Sequence, residues 1–525
     1  MHTTLDLTLL PGEAADELCV RRSALALMPE LPAHSSVEIL VRRRSVDARA
    51  RQPVVNLRVD VYVDELPPAD VSFTASLPRA RAEKKVIVVG AGPAGYFAAL
   101  HLLQYGIQPI ILERGKDVRA RRRDLRAIQQ FAHVDADSNY CFGEGGAGAY
   151  SDGKLYTRSS KRGDIHHILR VLVEHGATSS ILIDAHPHIG SNKLPGVVSA
   201  MRESIEQHGG IIRFNARVTD FLVRESSMIG VVINEQEELH ADAVILATGH
   251  SARDIYDLCR QRGIRTEFKP FALGVRAEHP QELIDEIQYK QRPRDPHLEA
   301  ASYRLATQVD GRGVYSFCMC PGGLIVPAAT APGELVVNGM SMSRRDSRYA
   351  NSGVVVEIQR SDVQAFEGAG EHCGLAFQQS VEQQAFHAKN DASQQVPAQR
   401  LVDFCEGKVS ASLPGSSYIP GLHSLPVHGI LPQFVSARLR KAFRVFGTSM
   451  RGYYTNDAIV TAVESRTSTP VKIPRDASTL EHPEIRGLYP CGEGAGFAGG
   501  IVSAAMDGER VARTIAQTWS MKALS

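Results

Sequence analysis

The most informative pattern in the chain is an apolar run that ends in glycines and leads into an amphipathic helix pattern. Residues 84–115 read KKVIVVGAGPAGYFAALHLLQYGIQPIILERG. The run VIVV and the later run PIIL are typical of short buried strands, and the segment between them has helical spacing. Together they predict a strand, a glycine turn, a helix and a second strand, which form one βαβ unit.

Two later segments show the same change from an apolar run to glycines. ADAVILATG, at residues 241–249, predicts a strand that runs into a loop. Residues 485–512 read IRGLYPCGEGAGFAGGIVSAAMDGERVA and predict a strand, a glycine loop and a C-terminal helix. We expect this last segment to fold back beside residues 86–113, which would make the domain discontinuous along the chain.

The first 80 residues have a different pattern. TTLDLTLL, SSVEILVRRRSV and VVNLRVDVYVDEL read as strands, whereas EAADELCVRRSALALM has helical spacing and a charged face. These segments predict a small module of β-α-β-β order. From about residue 265 to residue 465 the pattern is less regular, with turns at PGG, APGE and NSG. We interpret this stretch as an inserted mixed α/β domain.

Composition narrows the class of protein. Of the 525 residues, 43% are hydrophobic and 22% are charged, which is ordinary for a globular protein. The formal net charge of +1 gives no general attraction to nucleic acid or to an anionic membrane. The N-terminus lacks the pattern of a signal peptide, and no apolar run reaches the roughly 20 residues of a membrane span. The eight scattered cysteines favour a reducing compartment, so we expect a cytoplasmic protein.

The glycine turn has the spacing of a dinucleotide-binding motif. Gly90 permits the tight turn, Gly92 lets a pyrophosphate approach the backbone, and Gly95 allows close helix–strand packing. The following helix offers free N–H groups and a positive dipole end to the phosphates. Glu113 ends the second strand, where an acidic side chain accepts hydrogen bonds from ribose hydroxyls. The motif therefore predicts binding of an adenosine diphosphate group.

Three further stretches favour FAD over NAD. The ATG that ends residues 241–249 supplies a second loop toward the dinucleotide domain. In the C-terminal glycine loop, Glu493 is placed to hold ribityl hydroxyls, and the helix that follows stabilises negative charge at the pyrimidine end of a reduced flavin. The stretch CFGEGGAGAYSDGKLYTR, at residues 141–158, offers its backbone to the pyrophosphate or to the flavin ring.

These segments carry a resemblance to a known superfamily. The chain resembles the FAD-dependent dehydrogenases of the glutathione-reductase-like superfamily. More narrowly, it is similar to a bacterial family of uncharacterised FAD-dependent oxidoreductases with a small N-terminal domain. The resemblance rests on VIVVGAGPAGYFAAL, ILERG, FGEGGAGAYSDGKL, ATGHSARD, YSFCMCPGG, ESRTSTPV and LYPCGEGAGFAGGI, which span about residues 86 to 506. One departure is Glu493, because the related reductases usually carry Asp in this loop.

The resemblance implies an α/β fold with a Rossmann-like, glutathione-reductase-like FAD-binding domain, an inserted mixed α/β domain and a small N-terminal α+β domain. We predict the small domain over 1–80, the FAD-binding domain over 84–265 and 471–525, and the inserted substrate or cap domain over 266–470. The residues that we expect to hold FAD are Gly90, Gly92, Pro93, Ala94, Gly95, Glu113, Arg114, Gly146, Ser151, Lys154, Val218, Thr248, Gly249, Gly492, Glu493, Gly500 and Ile501.

A second nucleotide domain is not expected. GAGEHCGLAFQQ, at residues 368–379, is the nearest match to a second glycine turn, but it follows VQAFE rather than a buried strand. We interpret it as a loop that opens a helix. Electrons would then come from NAD(P)H that binds transiently over the flavin, from a protein donor or from the substrate.

The two cysteines of GVYSFCMCPGG, at residues 313–323, pose a separate question. Strand alternation places Cys318 and Cys320 on one face, and PGG predicts a hairpin into LIVPA. Redox pairs usually have CxxC or CxxxxC spacing at a helix start that lowers a thiol pKa. Side chains two apart in a strand lie at the outer edge of disulfide geometry. A core role is therefore favoured, and a pocket-lining thiol and a redox pair are the alternatives.

Arg466 is the remaining candidate for catalysis. It lies in ESRTSTPV, where the inserted domain returns to the FAD-binding domain, so it would bind a substrate carboxylate or bridge the two domains. The histidines and cysteines lack the spacing of a metal site, and we predict no structural metal.

Two classes of function follow. The first is an oxidoreductase in which FAD exchanges a hydride with a small organic substrate. The alternative is an RNA-associated or partner-binding flavoprotein that uses the N-terminal module for recognition. The run VRRRSVDARAR, at residues 41–51, separates them. Exposed and unpaired arginines would favour the alternative, whereas pairing by Asp47 and neighbouring acids would argue against it, and we expect no nucleic-acid partner.

Overall fold

A computed structural model describes residues 1–28, 32, 34–69, 71–157, 163–389 and 391–524. Residue 158, the last of the third glycine-rich stretch, and residue 525, the last of the predicted FAD-binding domain, lie outside the described residues.

The N-terminal module has the predicted β-α-β-β order. Its elements are β1 (His2–Leu9), α1 (Pro11–Ala15), α2 (Glu17–Ala26), β2 (Val37–Asp47) and β3 (Val54–Val63). The three strands form an antiparallel sheet in the order β1-β3-β2, and the alternating apolar residues of β3 pack against α2. The element order agrees with the predicted order of strands and helix, and the division of the chain at residue 80 stays a prediction.

A five-stranded parallel sheet follows. The elements of this part of the chain are β4 (Arg81–Val89), α3 (Pro93–Gln104), β5 (Ile107–Leu112), α4 (Val118–Phe131), α5 (Ile165–Glu174), α6 (Leu194–Gln207), β6 (Ile211–Arg213), β7 (Val218–Arg224), β8 (Ser227–Ile233), β9 (Glu237–His240), β10 (Ala243–Leu246) and α7 (Arg253–Gln261). Strands β7, β8 and β9 form a separate antiparallel sheet.

The chain returns to the parallel sheet at its C-terminal end. The last elements are β21 (Val471–Lys472), β22 (Leu488–Pro490) and α13 (Ile501–Leu524). The sheet order is β22-β10-β4-β5-β6, so a strand from the end of the chain completes a sheet that begins at β4. The VIVV and AVIL runs are buried on both faces, because helices that include α3 and α13 cover one face and the sheet of β7, β8 and β9 covers the other.

A seven-stranded mixed sheet lies between these two parts of the chain. Its order is β13-β14-β17-β12-β20-β18-β19. The elements are β11 (Glu267–Phe268), β12 (Phe271–Pro280), α8 (Gln281–Tyr289), β13 (Ala306–Val309), β14 (Arg312–Cys320), β15 (Gly323–Pro327), β16 (Val337–Ser341), β17 (Tyr349–Ile358), α9 (Cys373–His387), β18 (Val396–Arg400), α10 (Leu401–Glu406), β19 (Leu422–Ser424), α11 (Val427–Ile430), α12 (Gln433–Ser449) and β20 (Ile459–Glu464). This stretch is mixed α/β, as the irregular pattern predicts.

The predicted hairpin after the CxC sequence is wrong. β14 pairs with β13 and β17, whereas β15 pairs with β16 in a two-stranded sheet of its own. The reason is the close approach at Gly322, where a Cβ atom would lie 1.7 Å from the carbonyl oxygen of Arg345. The chain therefore leaves the seven-stranded sheet at this glycine instead of turning back along β14.

The arginines of the run at residues 41–51 are largely committed to contacts within the chain. Arg42 pairs with Asp60 at 2.6 Å, and Arg49 pairs with Asp47 at 2.5 Å. Arg44 pairs with Asp184 at 2.7 Å and exchanges backbone hydrogen bonds with residues 183 and 185. These contacts dock β2 on the segment between α5 and α6. Arg43 and Arg51 are exposed and have no ion pair within the described part of the chain, so the absence of a nucleic-acid partner stays a prediction. Among the described residues, no helix is both long enough and apolar enough to cross a membrane.

His279 gives the fold a dependence on pH. It is fully buried in β12, its Nε2 lies 2.8 Å from the carbonyl oxygen of Tyr453, and burial lowers its pKa to about 4. The folded protein keeps this imidazole neutral, whereas the unfolded chain takes up a proton below pH ~6.5. The free energy of unfolding is therefore expected to fall as the pH falls from about 6.5 to about 4, by up to ~3 kcal/mol.

The His279→Gln variant tests this, because it keeps an N–H donor and removes the titrating group. Its thermal midpoint is expected to fall less between pH ~7 and pH ~4.5 than that of the unaltered protein. Replacement of the exposed His240 by Gln is the control and leaves the pH dependence unchanged. Equal slopes in all three proteins would contradict the assignment.

Candidate functional site

A single cavity of about 370 Å³ joins the parallel sheet to the seven-stranded sheet. Its walls include the glycine turn after β4, the loop after β10, the start of α13 and the end of β14. The loops after β4 and β10 lie at the carboxyl ends of parallel strands, which is where open α/β sheets bind ligands. The cavity therefore places glycine-rich backbone at one end and polar side chains of the inserted domain at the other.

Each glycine of the first turn has a distinct spatial role. Gly90 has φ 107°, and a Cβ there would lie 2.4 Å from the carbonyl oxygen of Ala247. A Cβ at Gly95 would lie 2.0 Å from the carbonyl oxygen of Gly90. A Cβ at Gly92, in contrast, would meet nothing within 4 Å, because it would point into the cavity. Gly90 and Gly95 thus close the turn, and Gly92 keeps a cradle open at the N-terminus of α3.

Glu113 is buried where β5 ends, beside this cradle. Its carboxylate accepts hydrogen bonds from the backbone N–H groups of Ala91, Gly115 and Gly143, at 3.0, 3.0 and 2.9 Å. One carboxylate thereby joins the first glycine turn to the third glycine-rich stretch. A carboxylate has about four acceptor positions, so one remains for a ligand hydroxyl.

Arg114 lies at the same end of the cavity. Its guanidinium donates to Asp137 at 2.7 Å and to Asp254 at 2.9 Å, and it lies over the ring of Phe142 at 4.3 Å from the ring centroid. These contacts fix the guanidinium, so Arg114 forms a rigid wall rather than a free cationic ligand.

Glu493 lines the cavity from the C-terminal glycine loop. Burial raises the pKa of this carboxyl to about 7. No hydrogen bond to its carboxylate is found within the described part of the chain. Gly499 and Gly500 follow and lead into α13, whose first turn faces the cavity. This loop therefore presents an unpartnered carboxyl and a helix N-terminus to the same space.

These features fit FAD. The open cradle at Gly92 and the N-terminus of α3 suit a pyrophosphate, and Glu113 has an acceptor position for the adenosine ribose. The unpartnered carboxyl of Glu493 suits ribityl hydroxyls, since an acceptor in a cavity without a donor is satisfied by a ligand.

Comparisons with known proteins point the same way. Residues 270–467 match a family model described as FAD-dependent protein, C-terminal domain-like. Residues 83–127 match an FAD binding domain, residues 119–291 match a flavin containing amine oxidoreductase, and residues 1–62 match a domain of unknown function. An uncharacterized protein of Clostridium beijerinckii is 40% identical over 498 residues, which cover 91% of this chain and 92% of that protein.

The chain belongs to this family of FAD-dependent oxidoreductases.

Solved flavoprotein structures are more distant from this FAD-dependent oxidoreductase. The flavin-dependent brominase Bmp2 shares 13% identity at a TM-score of 0.37, with 83% of this chain and 79% of that chain covered. A geranylgeranyl bacteriochlorophyll reductase-like protein of Thermoplasma acidophilum shares 13% identity at a TM-score of 0.34, with 84% and 80% covered. The family assignment rests on the Clostridium relative and the family models, not on these likenesses.

Most residues that the sequence singled out lie around this cavity of the FAD-dependent oxidoreductase. The exceptions are Gly95, Gly492 and Cys320, which lie behind its wall. Gly95 packs against the turn, and the N–H of Gly492 donates to Asp507. The expected residues that line the cavity are Gly90, Gly92, Pro93, Ala94, Glu113, Arg114, Gly146, Ser151, Lys154, Val218, Thr248, Gly249, Glu493, Gly500, Ile501, Cys318 and Arg466.

The CxC sequence departs from a regular strand. Between Phe317 and Cys320 the pairing of β14 with β17 shifts by one residue, and Cys318 has φ 44°, in the left-handed region. This β-bulge bends the strand and re-aims its side chains. Lys154 Nζ lies 3.9 Å from the sulfur of Cys318 and 3.8 Å from that of Cys320.

No helix begins at the CxC sequence, but cationic side chains lie beside it. A hydrogen bond from Cys320, with the positive charges of Lys154 and Arg276, holds the pKa of Cys318 well below its usual range. The same hydrogen bond and burial raise the pKa of Cys320. The ammonium of Lys154 and the guanidinium of Arg276 come from distant parts of the chain. They help to lower the pKa of Cys318, as a helix N-terminus does for other reactive cysteines.

Arg466 lines the cavity, but its guanidinium is already paired. It donates to Glu382 at 2.9 Å and to Glu334 at 2.8 Å, and the same two carboxylates bind Arg253 at 2.8 and 2.6 Å. Two arginines and two glutamates therefore form a closed, buried cluster that connects α7, α9, the segment before β16 and the irregular segment after β20. This geometry favours the domain-bridging interpretation over a substrate-carboxylate site.

The sequence analysis did not identify two charged residues of the site, Asp152 and Arg276. Asp152 is buried, pairs with Arg345 at 2.7 Å and lies 3.4 Å from Lys154. Arg276 is fully buried in β12 and donates to Glu464 at 2.8 Å and to the carbonyl oxygen of Cys318 at 2.9 Å. An arginine inside the apolar run FALGVRAEHP was a usable signal, because a buried charge requires a partner.

The absence of a structural metal stays a prediction. The described residues do bring three side chains of metal-ligating types together away from the cavity, since the Nε2 atoms of His101 and His167 lie 3.3 and 3.2 Å from one carboxylate oxygen of Glu509.

Proposed function

We propose that this FAD-dependent oxidoreductase exchanges a hydride with a small organic substrate that enters the cavity at the end formed by the inserted domain. One cavity runs from the cradle at Gly92 to Phe317 and Cys318 of the seven-stranded sheet and to Asn338 of the sheet formed by β15 and β16. This continuity is the observation that supports the proposal. FAD supplies two-electron chemistry when bound, because its flavin accepts or donates a hydride.

The chain's own residues have separable tasks in this proposal. Gly92 and the first turn of α3 bind the pyrophosphate, Glu113 binds the adenosine ribose, and Glu493 binds the ribityl chain. The first turn of α13 supports negative charge at the pyrimidine end of the flavin. The other cavity-lining residues expected from the sequence complete the walls and exclude water.

We also propose the four-part division of the chain that the sequence predicts. The three separate sheets support it, since the N-terminal, parallel and seven-stranded sheets each have their own buried core. The glutathione-reductase-like character of the FAD part is a proposal as well, supported by the glycine turn, the parallel strand order and the returning C-terminal strand.

The substrate end of the cavity carries both charge and a thiol. Lys154, about one third exposed, lies between Asp152 and the two cysteines, and the half-buried Cys318 faces the cavity. An ammonium at this place attracts a carbonyl oxygen, a carboxylate or a thiolate of a substrate. We therefore assign substrate orientation to Lys154.

Anaerobic absorbance spectroscopy tests the function. The FAD-loaded protein is mixed with NADH, NADPH and a panel of small organic hydride donors, and the flavin absorbance is followed. We expect at least one donor to bleach the flavin in a single step, with a primary isotope effect when the transferred hydrogen is deuterium. Bleaching without an isotope effect, or bleaching only by one-electron protein donors, would contradict hydride exchange.

A further inference from the structure

The two thiols of the bulge differ in exposure. Cys318 is half-buried and lines the cavity, whereas Cys320 is fully buried behind it. Both sulfurs contact the same ammonium of Lys154, so both lie on one side of the bulge. A ligand in the cavity therefore reaches Cys318 first, and Cys320 stands next to Cys318 on the protein side.

The surroundings of this pair are cationic: Lys154 contacts both sulfurs, and Arg276 contacts the pair as well, whereas the exposed Cys19 has a single arginine contact, from Arg22 at 3.1 Å. Arg276 donates to the carbonyl oxygen of Cys318 at 2.9 Å and lies 3.6 Å from the sulfur of Cys320. Cys141 also lines the cavity, but no lysine or arginine contact to its sulfur is found among the described residues. The thiolate is the attacking form in thiol–disulfide exchange, and neighbouring cations stabilise it.

We propose that Cys318 and Cys320 form a dithiol that reduces a low-molecular-weight disulfide, with Cys318 as the attacking thiolate and Cys320 as the resolving thiol. The proposal rests on the proposed function, because it names a substrate class for the same cavity. It replaces the core role that the CxC spacing favours. The bulge removes the regular-strand geometry on which that expectation depends.

The reaction balances without an added oxidant. The Cys318 thiolate attacks one sulfur of the substrate disulfide, a Cys318–substrate disulfide forms, and the first substrate thiolate leaves. The sulfur of Cys320 then attacks Cys318, its proton goes to the departing second thiolate, and the Cys318–Cys320 disulfide forms. Two electrons pass from the thiolate–thiol pair to the substrate, whose first half leaves as a thiolate and whose second half leaves as a thiol.

A two-electron donor must restore the dithiol. Two electrons and one proton, the equivalent of one hydride, restore the Cys318 thiolate and the Cys320 thiol, and the proposed flavin chemistry would pass them on from a donor of the reduced nicotinamide class. Lys154 remains beside both sulfurs in either state and compensates the negative charge that appears on them.

Trapping of the mixed disulfide tests the pair. The FAD-loaded protein is reduced, freed of reductant and treated with one equivalent of 5,5′-dithiobis(2-nitrobenzoate). Released thiolate is then counted, and the cysteines are mapped by mass spectrometry of peptides. The unaltered protein is expected to release two thiolates and to hold an internal Cys318–Cys320 disulfide. Cys320→Ser is expected to release one thiolate and to retain the aromatic adduct on Cys318.

Other outcomes overturn the proposal. A stable adduct on Cys318 of the unaltered protein would show that Cys320 does not resolve it. An adduct that forms on Cys19 or Cys141 before Cys318 would show that the cationic environment does not select Cys318.

A second measurement does not depend on the serine variant folding. The rate of Cys318 alkylation by iodoacetamide is measured against pH in the unaltered protein. Its midpoint is expected below the value of about 8.5 for a free cysteine, and Lys154→Met is expected to raise it. Arg49→Met, at an exposed ion pair, is the control and leaves the midpoint unchanged. A midpoint at the free-cysteine value would overturn the proposal.

The two proposals fail in different ways. Flavin bleaching by an organic donor in a protein whose Cys318 is unreactive would overturn the dithiol and leave hydride exchange standing. An internal disulfide that forms in a protein whose flavin no hydride donor bleaches would support the dithiol and overturn hydride exchange.

Discussion

Replacement of Gly92 by valine is expected to give a folded protein that no longer retains FAD. The φ of Gly92 is −83°, which any residue adopts, and a Cβ there would meet nothing within 4 Å. The valine side chain would enter the cavity where the pyrophosphate approaches the backbone. Overlap of this kind costs up to roughly 3 kcal/mol, so the affinity for FAD is expected to fall about 100-fold.

The measurement is visible flavin absorbance per protein after purification, together with the thermal midpoint of the apoprotein. Gly196→Val is the matched control, because Gly196 is exposed in α6, lies outside the cavity and also has no atom within 4 Å of its Cβ position. Gly95→Val is expected instead to disturb the fold, since its Cβ would lie 2.0 Å from a carbonyl oxygen. Full flavin content in Gly92→Val would refute the cradle.

The second large effect is expected from Arg276→Met. Arg276 and Glu464 are 0% and 1% exposed and lie 2.8 Å apart, so removal of the arginine leaves a buried carboxyl without its cation. Loss of one partner of such a pair lowers the free energy of unfolding by ~3–5 kcal/mol. Chemical denaturation of the FAD-loaded protein measures this difference.

The deficit should depend on pH. Burial raises the pKa of Glu464 to about 7 even with Arg276 present. Without the arginine this pKa rises further, so the folded variant holds its proton above pH ~7 while the unfolded chain releases it. The deficit is therefore expected to grow as the pH rises above about 7. Arg276→Met with Glu464→Gln should show no such growth, and Arg49→Met, at an exposed pair, should show no measurable deficit.

The dinucleotide turn could be predicted from sequence because its signal is local. Gly90, Gly92 and Gly95 lie within six residues, and each glycine answers a steric demand of its immediate neighbours. One helix and one strand set the spacing between the glycine turn and Glu113, so the position of this carboxylate beside the turn could also be predicted. Of the three backbone N–H groups that donate to Glu113, the one from Gly143 is distant along the chain, so this hydrogen bond could not be predicted from the sequence.

The surroundings of Cys318 and Cys320 could not be predicted from the sequence, because the residues that contact these two thiols are distant along the chain. Lys154 reaches the cysteines from more than 160 residues away. The bulge at Cys318 arises where β14 must both pair with β17 and leave the sheet at Gly322. Alternation along a strand describes only the regular part of such an element, and it fails where tertiary packing inserts a residue.

The return of β22 to the parallel sheet has a consequence for synthesis of the protein. Strand β22 and helix α13 are the last elements of the chain, yet β22 is the edge strand beside β10 and α13 packs on α3. Domains fold from the N-terminus as the ribosome delivers them. The small module can fold early, whereas the cofactor pocket closes only after β22 and α13 have been synthesised. Flavin is therefore expected to bind after these elements are made, and chains that stop before β22 are expected to stay colourless.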